Sequence, residues 1–183
     1  VTTPLSLFMA WLSQRLMRGG MATRWSRGAF VSLCLIASGV LSAALKKGQL
    51  TEAGYAQMIA CTTQLNTPGP DLAALDGVHA ITDVTGFGLL GHLVEMTRPS
   101  GVDAELSLSA LPLLAGAVDC VAAGIVSSLQ PANVRLRRAL RNPEGFVNDP
   151  RYALLFDPQT AGGLLASVPA DRAADCVRAL QAA

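Results

Sequence analysis

Hydrophobic and polar positions along the chain follow two periods in turn, and the switches between them mark out the elements. From Thr51 to Leu65 apolar residues recur at helical spacing, with Tyr55, Met58, Ile59 and Thr62 on one face and Thr51 placed to cap the first turn. Thr67-Pro-Gly-Pro70 breaks the pattern, and Leu72 to Leu75 fits one short helical turn. Val78 to Val84 is a β-branched run that predicts a strand. Gly86 to Met96 predicts a helix, ended by Pro99 and Gly101. Val102, Ala104, Leu106 and Leu108 alternate with Asp103, Glu105 and Ser107, which predicts a half-buried strand. Leu113 to Ala123 is apolar and helical as far as Gly124, and residues 125–150 keep no clean period, predicting a long loop with one short basic helix. Tyr152 to Phe156 and Leu164 to Val168 predict two more strands, and Ala170 to Ala182 a closing helix with Ala174, Val177 and Leu180 on one side. Interleaved strands and helices place the chain in the α+β class, a mixed sheet with covering helices.

The 183 residues suffice for one domain with an appended segment. An apolar fraction of 51% and a charged fraction of 15% exclude a disordered chain. A net charge of +1 provides no bulk field for nucleic acid or an anionic membrane, and 5% aromatics provide no base-stacking surface, so no nucleic-acid partner is expected. Cys34, Cys61, Cys120 and Cys176 are scattered, form no Cys-x-x-Cys pair and lie far in sequence from His79 and His92, so zinc is not expected and the thiols read as reduced.

The composition shifts near residue 38. Residues 1–37 hold both tryptophans, and no acid precedes Glu52. Ala29 to Leu45 carry no charge and lie between Arg24 and Arg27 on one side and Lys46 and Lys47 on the other. Residues 21–45 therefore read as a signal-like or anchoring segment with a small-residue site at Ser42-Ala43-Ala44, its uncharged run Ala29–Leu45 being slightly short for a spanning helix. The second half of this run reads equally as part of the following domain. The boundary is set between an unmatched segment, 1–37, and a domain, 38–183.

Two turns carry the candidate chemistry. In the first, Asp83 ends a predicted strand, Thr85 is placed to cap the next helix, and Gly86 and Gly88 remove side chains where the backbone turns. A helix start suits phosphate, and a nearby carboxylate suits Mg²⁺. The same residues also read as a structural turn with a capping Thr and a solvated Asp. The spacing is neither that of a Walker A loop nor that of a dinucleotide fingerprint. In the second turn, Asp157 follows a predicted strand, Pro158 fixes φ, and Gly162-Gly163 permits close backbone approach. Taken alone it reads as a tight structural connection, with Gln159 and Thr160 structural or reaching an interface. His92 reads as a packing residue or a proton shuttle. Arg135, Arg137, Arg138 and Arg141 read as a solvated face or a phosphate site.

Together, Asp83-Val-Thr-Gly-Phe-Gly-Leu-Leu-Gly-His-Leu93 and Asp157-Pro-Gln-Thr-Ala-Gly-Gly-Leu-Leu165 resemble the carboxy-terminal domain of the selenide, water dikinase (selenophosphate synthetase) family, in the aminoimidazole ribonucleotide synthetase superfamily. The resemblance runs from about Gly39 to the end and departs at Ala161, where the family commonly has Ser. It implies a fragment of an enzyme that turns ATP, selenide and water into selenophosphate, AMP and phosphate. ATP and Mg²⁺ would lie between two domains, and this chain would form one wall of that cleft and be inactive alone. Asp83 matches the metal-binding aspartate of this domain, with Thr82, Thr85, Gly86 and Gly88 on the nucleotide side. The catalytic Cys or selenocysteine, the Lys and the other metal carboxylates belong to an amino-terminal domain, so no catalytic residue is expected here. The resemblance further implies a cytoplasmic protein and a family homodimer, and a chain truncated at both ends. A frame displaced by one base over Met21 to Ser26 accommodates the family's Gly-Asp-x-Leu-Val stretch, so 1–37 are expected to be frameshifted or disordered. The alternatives are a non-catalytic remnant that binds a partner, and an exported or membrane-anchored protein using segment 21–45.

Overall fold

A computed structural model describes residues 28–32 and 36–182. Three distant stretches build an antiparallel sheet: β1 (Gly28–Ser32), β2 (Ala80–Asp83) and β3 (Leu164–Pro169), in the order β1-β3-β2. In register, Gly28 faces Pro169 and Ser32 faces Leu165 on one edge of β3, while Ala80 faces Ser167 and Asp83 faces Leu164 on the other. Between β1 and β2 come α1 (Ser38–Lys46), α2 (Glu52–Thr63) and α3 (Gly69–Ala74). After β2 come α4 (Gly88–Ser100), α5 (Ala117–Ala122), α6 (Gln130–Asn133) and α7 (Pro150–Leu154), and α8 (Ala173–Ala182) follows β3. The α+β class is the expected one, and the three described strands are all antiparallel.

Strand β3 is apolar throughout because both its faces are covered. Leu165 belongs to the larger core with Val40, Leu41, Leu89, Leu90 and Phe156. Leu164, Ala166 and Val168 point the other way, onto Leu72, Ala173, Cys176 and Val177. The two-residue period of a strand divides these neighbours between the faces. In α1, Val40, Leu41 and Ala44 have no exposed surface. The second half of the signal-like segment is thus a core helix; residues 21–27 and 33–35 lie outside the described residues. Among the described residues no helix is long and apolar enough to cross a membrane. Ile36 and Ala37 are also buried, and β1 pairs its backbone with β3, so packed structure reaches to the amino-terminal side of the 37/38 boundary.

Several elements depart from the sequence pattern. In α2 the buried positions are Gly54 and Met58, whereas Tyr55 and Ile59 are 45% and 40% exposed. The helix turns Gly54 inward because a Cβ there would lie 3.1 Å from the Ala115 carbonyl oxygen, while Gln57 accepts the Ala115 N–H. The Thr51 cap is as expected, its hydroxyl accepting the Gly54 N–H. Tyr152 to Phe156, expected as a strand, lies largely in α7: the Asp149 carboxylate accepts the Arg151 N–H and Pro150 occupies the first turn, a helix start that outweighs the apolar run. Val102 to Leu108 does not form the expected half-buried strand: Val102, Leu106 and Leu108 are half-buried but so is Ser107, Ala104 is exposed, and the segment pairs with no strand among the described residues. Helix α5 starts only at Ala117. Leu113 bridges to Ile36, with Ile36 N–H donating to Pro112 O and Leu114 N–H to Ile36 O, and Gly116 at φ 80° opens the helix.

Two alanines, Ala37 and Ala161, have the positive φ that favours glycine, and Ala37 lies further from the region other residues tolerate. Ala37, fully buried ahead of α1, has φ 108° and ψ 22°, a conformation in which a Cβ crowds the backbone. Replacing it by glycine keeps the Ala37 N–H bond to the Gln159 side chain and removes the strain. Ala37→Gly is expected to stabilise the chain by about 1 kcal/mol, raising Tm by roughly 2–4 °C in thermal unfolding.

Candidate functional site

The two glycine turns fold against each other. Val84, the first residue after β2, donates its N–H to Gly163 O and accepts the Gly162 N–H. The Thr85 carbonyl accepts from both Gln159 N–H and Gly88 N–H, and Leu90 N–H donates to Leu155 O. From α6, the Asn133 amide donates to Gly86 O and Phe156 O, tying both turns together. The contact is close enough to exclude side chains. A Cβ on Gly162 would lie 2.6 Å from Val84 O, and one on Gly88, at φ 71°, 2.9 Å from Asp157 O.

His92 supports the first turn from within. It is buried, and its Nε2 accepts the Thr85 N–H at 3.0 Å, with the Thr85 hydroxyl at 3.2 Å. An accepting Nε2 places the neutral ring's proton on Nδ1. Glu95 lies 3.1 Å from Nδ1 without hydrogen-bond alignment, and Phe87 tilts over the ring at 5.7 Å. The histidine is therefore the packing and hydrogen-bonding residue of the two readings. Thr85 does not cap α4 with its side chain: the helix begins at Gly88, and the hydroxyl turns to His92 instead. With Gly88 and Leu90 N–H engaged inside the fold, the open part of the turn is Asp83, Gly86 and Phe87, and Gly86 has no atom within 4 Å of its Cβ position.

Asp83 is exposed at the end of β2, and among the described residues its carboxylate has no hydrogen bond or ion pair. The neighbouring Thr82 hydroxyl approaches the Asp83 carbonyl at 3.2 Å. Among the described residues no three His, Cys, Asp or Glu side chains converge on a metal position. Mg²⁺ takes one or two carboxylates and completes its shell with phosphate oxygens and water. Asp83 fits as one such ligand, and among the described residues no group of three or more candidate donors surrounds it. The arginines separate as well: Arg141 pairs with Asp103, and Arg135, Arg137 and Arg138 lie on an exposed turn, the solvated face of the two readings.

The second turn holds a carboxylate of the opposite kind. Asp157 is fully buried, and its Oδ2 accepts the N–H groups of Gly39 and Val40 at 3.0 and 3.1 Å. Gln159 Oε1 accepts the N–H groups of Ala37 and Ser38 and the Ser38 hydroxyl, and its amide donates to the Asp157 carbonyl and Oδ2. The Ser38 hydroxyl in turn accepts the Thr160 N–H. Helix α1 has no side-chain cap within its own segment; these residues, about 120 positions away, cap it. Gly39 is required there, since a Cβ would fall 2.4 Å from Pro158 O and 2.7 Å from Asp157 Oδ1. Burial pushes the Asp157 carboxyl up to about 7, against the pull of the Val40, Gln159 and Gly39 donors, and Oδ1 has no partner. The only sequence signal for this clasp was an uncapped helix start at Ser38-Gly39 and an acid and an amide two residues apart.

Residues 36–183 match the family model described as AIR synthase related protein, C-terminal domain. The chain belongs to this family. Among curated relatives of this AIR synthase related domain, a selenide, water dikinase of Burkholderia pseudomallei (strain K96243) is 54% identical over 128 residues, covering 69% of this chain and 36% of its own. That of Burkholderia ambifaria (strain MC40-6) is 48% identical over 145 residues, covering 79% and 41%. That of Rhizobium meliloti (strain 1021) is 41% identical over 148 residues, covering 81% and 42%. The chain thus spans about two fifths of these relatives' length.

The Asp157 clasp makes stability depend on pH in a definite direction. With a folded value near 7 against 3.8 for the free side chain, the folded state holds the proton more tightly. Its contribution is fully present below pH 3.8 and is lost as the pH rises through 7. Asp157→Asn keeps an oxygen for the α1 amides and removes the titration. The Tm difference, variant minus parent, is expected to grow by roughly 5 °C or more from pH 4 to pH 8 in thermal melts; a difference independent of pH would show that Asp157 is ionised in the fold throughout.

Proposed function

We propose that this chain is the carboxy-terminal domain of a cytoplasmic selenide, water dikinase, forming one wall of a cleft for ATP and Mg²⁺. The observation that supports this most directly is the Asp83 carboxylate, exposed and without a partner among the described residues, beside a turn whose Val84, Thr85 and Gly88 backbone is hydrogen-bonded into the fold. Burial obliges Asp157 to take donors from the fold, whereas the exposed Asp83 carboxylate is left to solvent or a ligand. The relatives of this name, 41–54% identical across the same region, support the substrate assignment: ATP, selenide and water give selenophosphate, AMP and phosphate.

On this reading Asp83 would hold the metal on the nucleotide side of the cleft. Mg²⁺, when bound, neutralises phosphate charge and fixes the orientation of the phosphate oxygens. The chain's own part is positioning. His92 and the Gly162–Val84 contact hold the backbone of the turn that follows Asp83. Gly86 leaves room for a ligand to approach the backbone. Phosphoryl transfer relies on several charges around the phosphates, and one carboxylate does not supply them.

The purified 183-residue chain is therefore expected to release no AMP from ATP and selenide. Joined to the amino-terminal domain of a relative, it should gain that activity, and Asp83→Asn should abolish it, because an amide is a poor ligand for a hard divalent cation. In the chain alone the same substitution should leave Tm within about 1 °C of the parent, since the residue is exposed and its carboxylate has no hydrogen bond or ion pair among the described residues. Full turnover by the joined Asn variant would remove Asp83 from the metal site.

A further inference from the structure

The tautomer of His92 decides what the Thr85 hydroxyl can offer a ligand. The Thr85 N–H can only donate, and it donates to Nε2 at 3.0 Å, so Nε2 carries no proton. The Glu95 carboxylate, 3.1 Å from Nδ1, favours the proton on that nitrogen. The Thr85 hydroxyl lies 3.2 Å from the same Nε2, and between a hydroxyl and an unprotonated ring nitrogen only the hydroxyl can donate. Its single proton is thereby spent inside the fold, and only lone pairs are left for anything that binds at the turn. Exposure alternates along this stretch: Asp83 is exposed, Val84 fully buried and Thr85 half-buried. Val84 still bonds across to Gly163 and Gly162 as a strand residue would, so Asp83 and Thr85 fall on one face, about 7 Å apart along the backbone. The start of α4 adds little for an anion there, since the Gly88 and Leu90 N–H groups are bonded within the fold and Leu89 is buried.

We propose that the Thr85 hydroxyl, oriented by His92, is the second oxygen of the Asp83 cation site, accepting a hydrogen bond from the water shell of the ion, and that phosphate reaches this turn only through that ion. The proposal rests on the reading of Asp83 as a cation ligand. Mg²⁺ keeps several waters when one or two carboxylates hold it, and each water is a donor that a lone pair can accept. A hydroxyl free to rotate serves an anion by donating or a cation's shell by accepting. With its proton held by Nε2, Thr85 is restricted to the second. A carboxylate and an acceptor-only hydroxyl on one face select a divalent cation and repel a bare phosphate. His92 is then a positioning residue: it is buried and acts through Thr85.

Line broadening by Mn²⁺ in amide NMR spectra of the intact 183-residue chain tests this without any turnover. Titrated Mn²⁺ is expected to broaden the amide signals of Asp83 to Gly86 saturably, and Asp83→Asn to remove the effect. Thr85→Val, which keeps the N–H and deletes the hydroxyl, should weaken Mn²⁺ binding by about 3-fold or more, and Thr85→Ser should stay within about 2-fold of the parent. Inorganic phosphate without metal should leave the amides of Gly86 to Leu90 unshifted. In nitrogen NMR of the imidazole ring, His92 Nε2 should appear as the unprotonated nitrogen. No broadening in the parent, or broadening that survives Asp83→Asn, fails the Asp83 reading and this proposal with it. Loss with Asp83→Asn but parent-like binding by Thr85→Val overturns the Thr85 assignment alone and leaves Asp83 in place. Saturable shifts at Gly86 to Leu90 from phosphate alone, or a protonated Nε2, overturn the proposal as well. If Thr85→Val does not fold, Thr85→Ala is read by the same criterion; if neither folds, the Nε2 state and the phosphate titration decide.

Discussion

The fold depends on how the start of one buried helix is satisfied. Helix α1 enters the core with no acid in its first turn and no side-chain cap of its own, yet its leading amides are shut away from water. Each would cost about 1–3 kcal/mol if left without a partner. Two side chains of one distant turn answer four of them, Asp157 taking Gly39 and Val40, and Gln159 taking Ala37 and Ser38. Because that turn is also stitched to Val84 and Thr85, the capping of α1 and the shape of the strand-to-helix turn at Asp83 are a single problem. The price is a carboxylate oxygen buried without a donor.

The elements legible in the sequence were those whose signals are local. Thr51 caps α2, β2 and β3 are β-branched or doubly covered, and Gly101 at φ 61° ends α4. The failures share a cause: the apolar pattern was sound, but the partner that set its geometry was remote. Leu113 is apolar because it meets Ile36, not because it belongs to a helix. Gly54 replaces Tyr55 and Ile59 on the buried side of α2 because Ala115 comes close.

The two aspartates show the same limit at the candidate site. Asp83 and Asp157 both stand before glycine-bearing turns and cannot be ranked by their neighbours in sequence. The fold separates them completely, one exposed and without a partner among the described residues, the other sealed beneath α1. Asp83 was found because its motif resembles a family's. The contact between His92 and Thr85 was not legible in the sequence, and one hydrogen bond of 3.0 Å shows it.

The strand order carries a consequence for how the molecule comes to be made. β3 lies between β1 and β2 but follows both along the chain, more than 80 residues after the nearer one begins. A ribosome therefore releases the two outer strands well before the strand that joins them. Until then neither has its partner, and every sheet contact must wait for a long loop to close, a topology that slows folding. For most of its synthesis the nascent chain is a set of helices attended by two unmatched edges, a state in which a chaperone has something to hold.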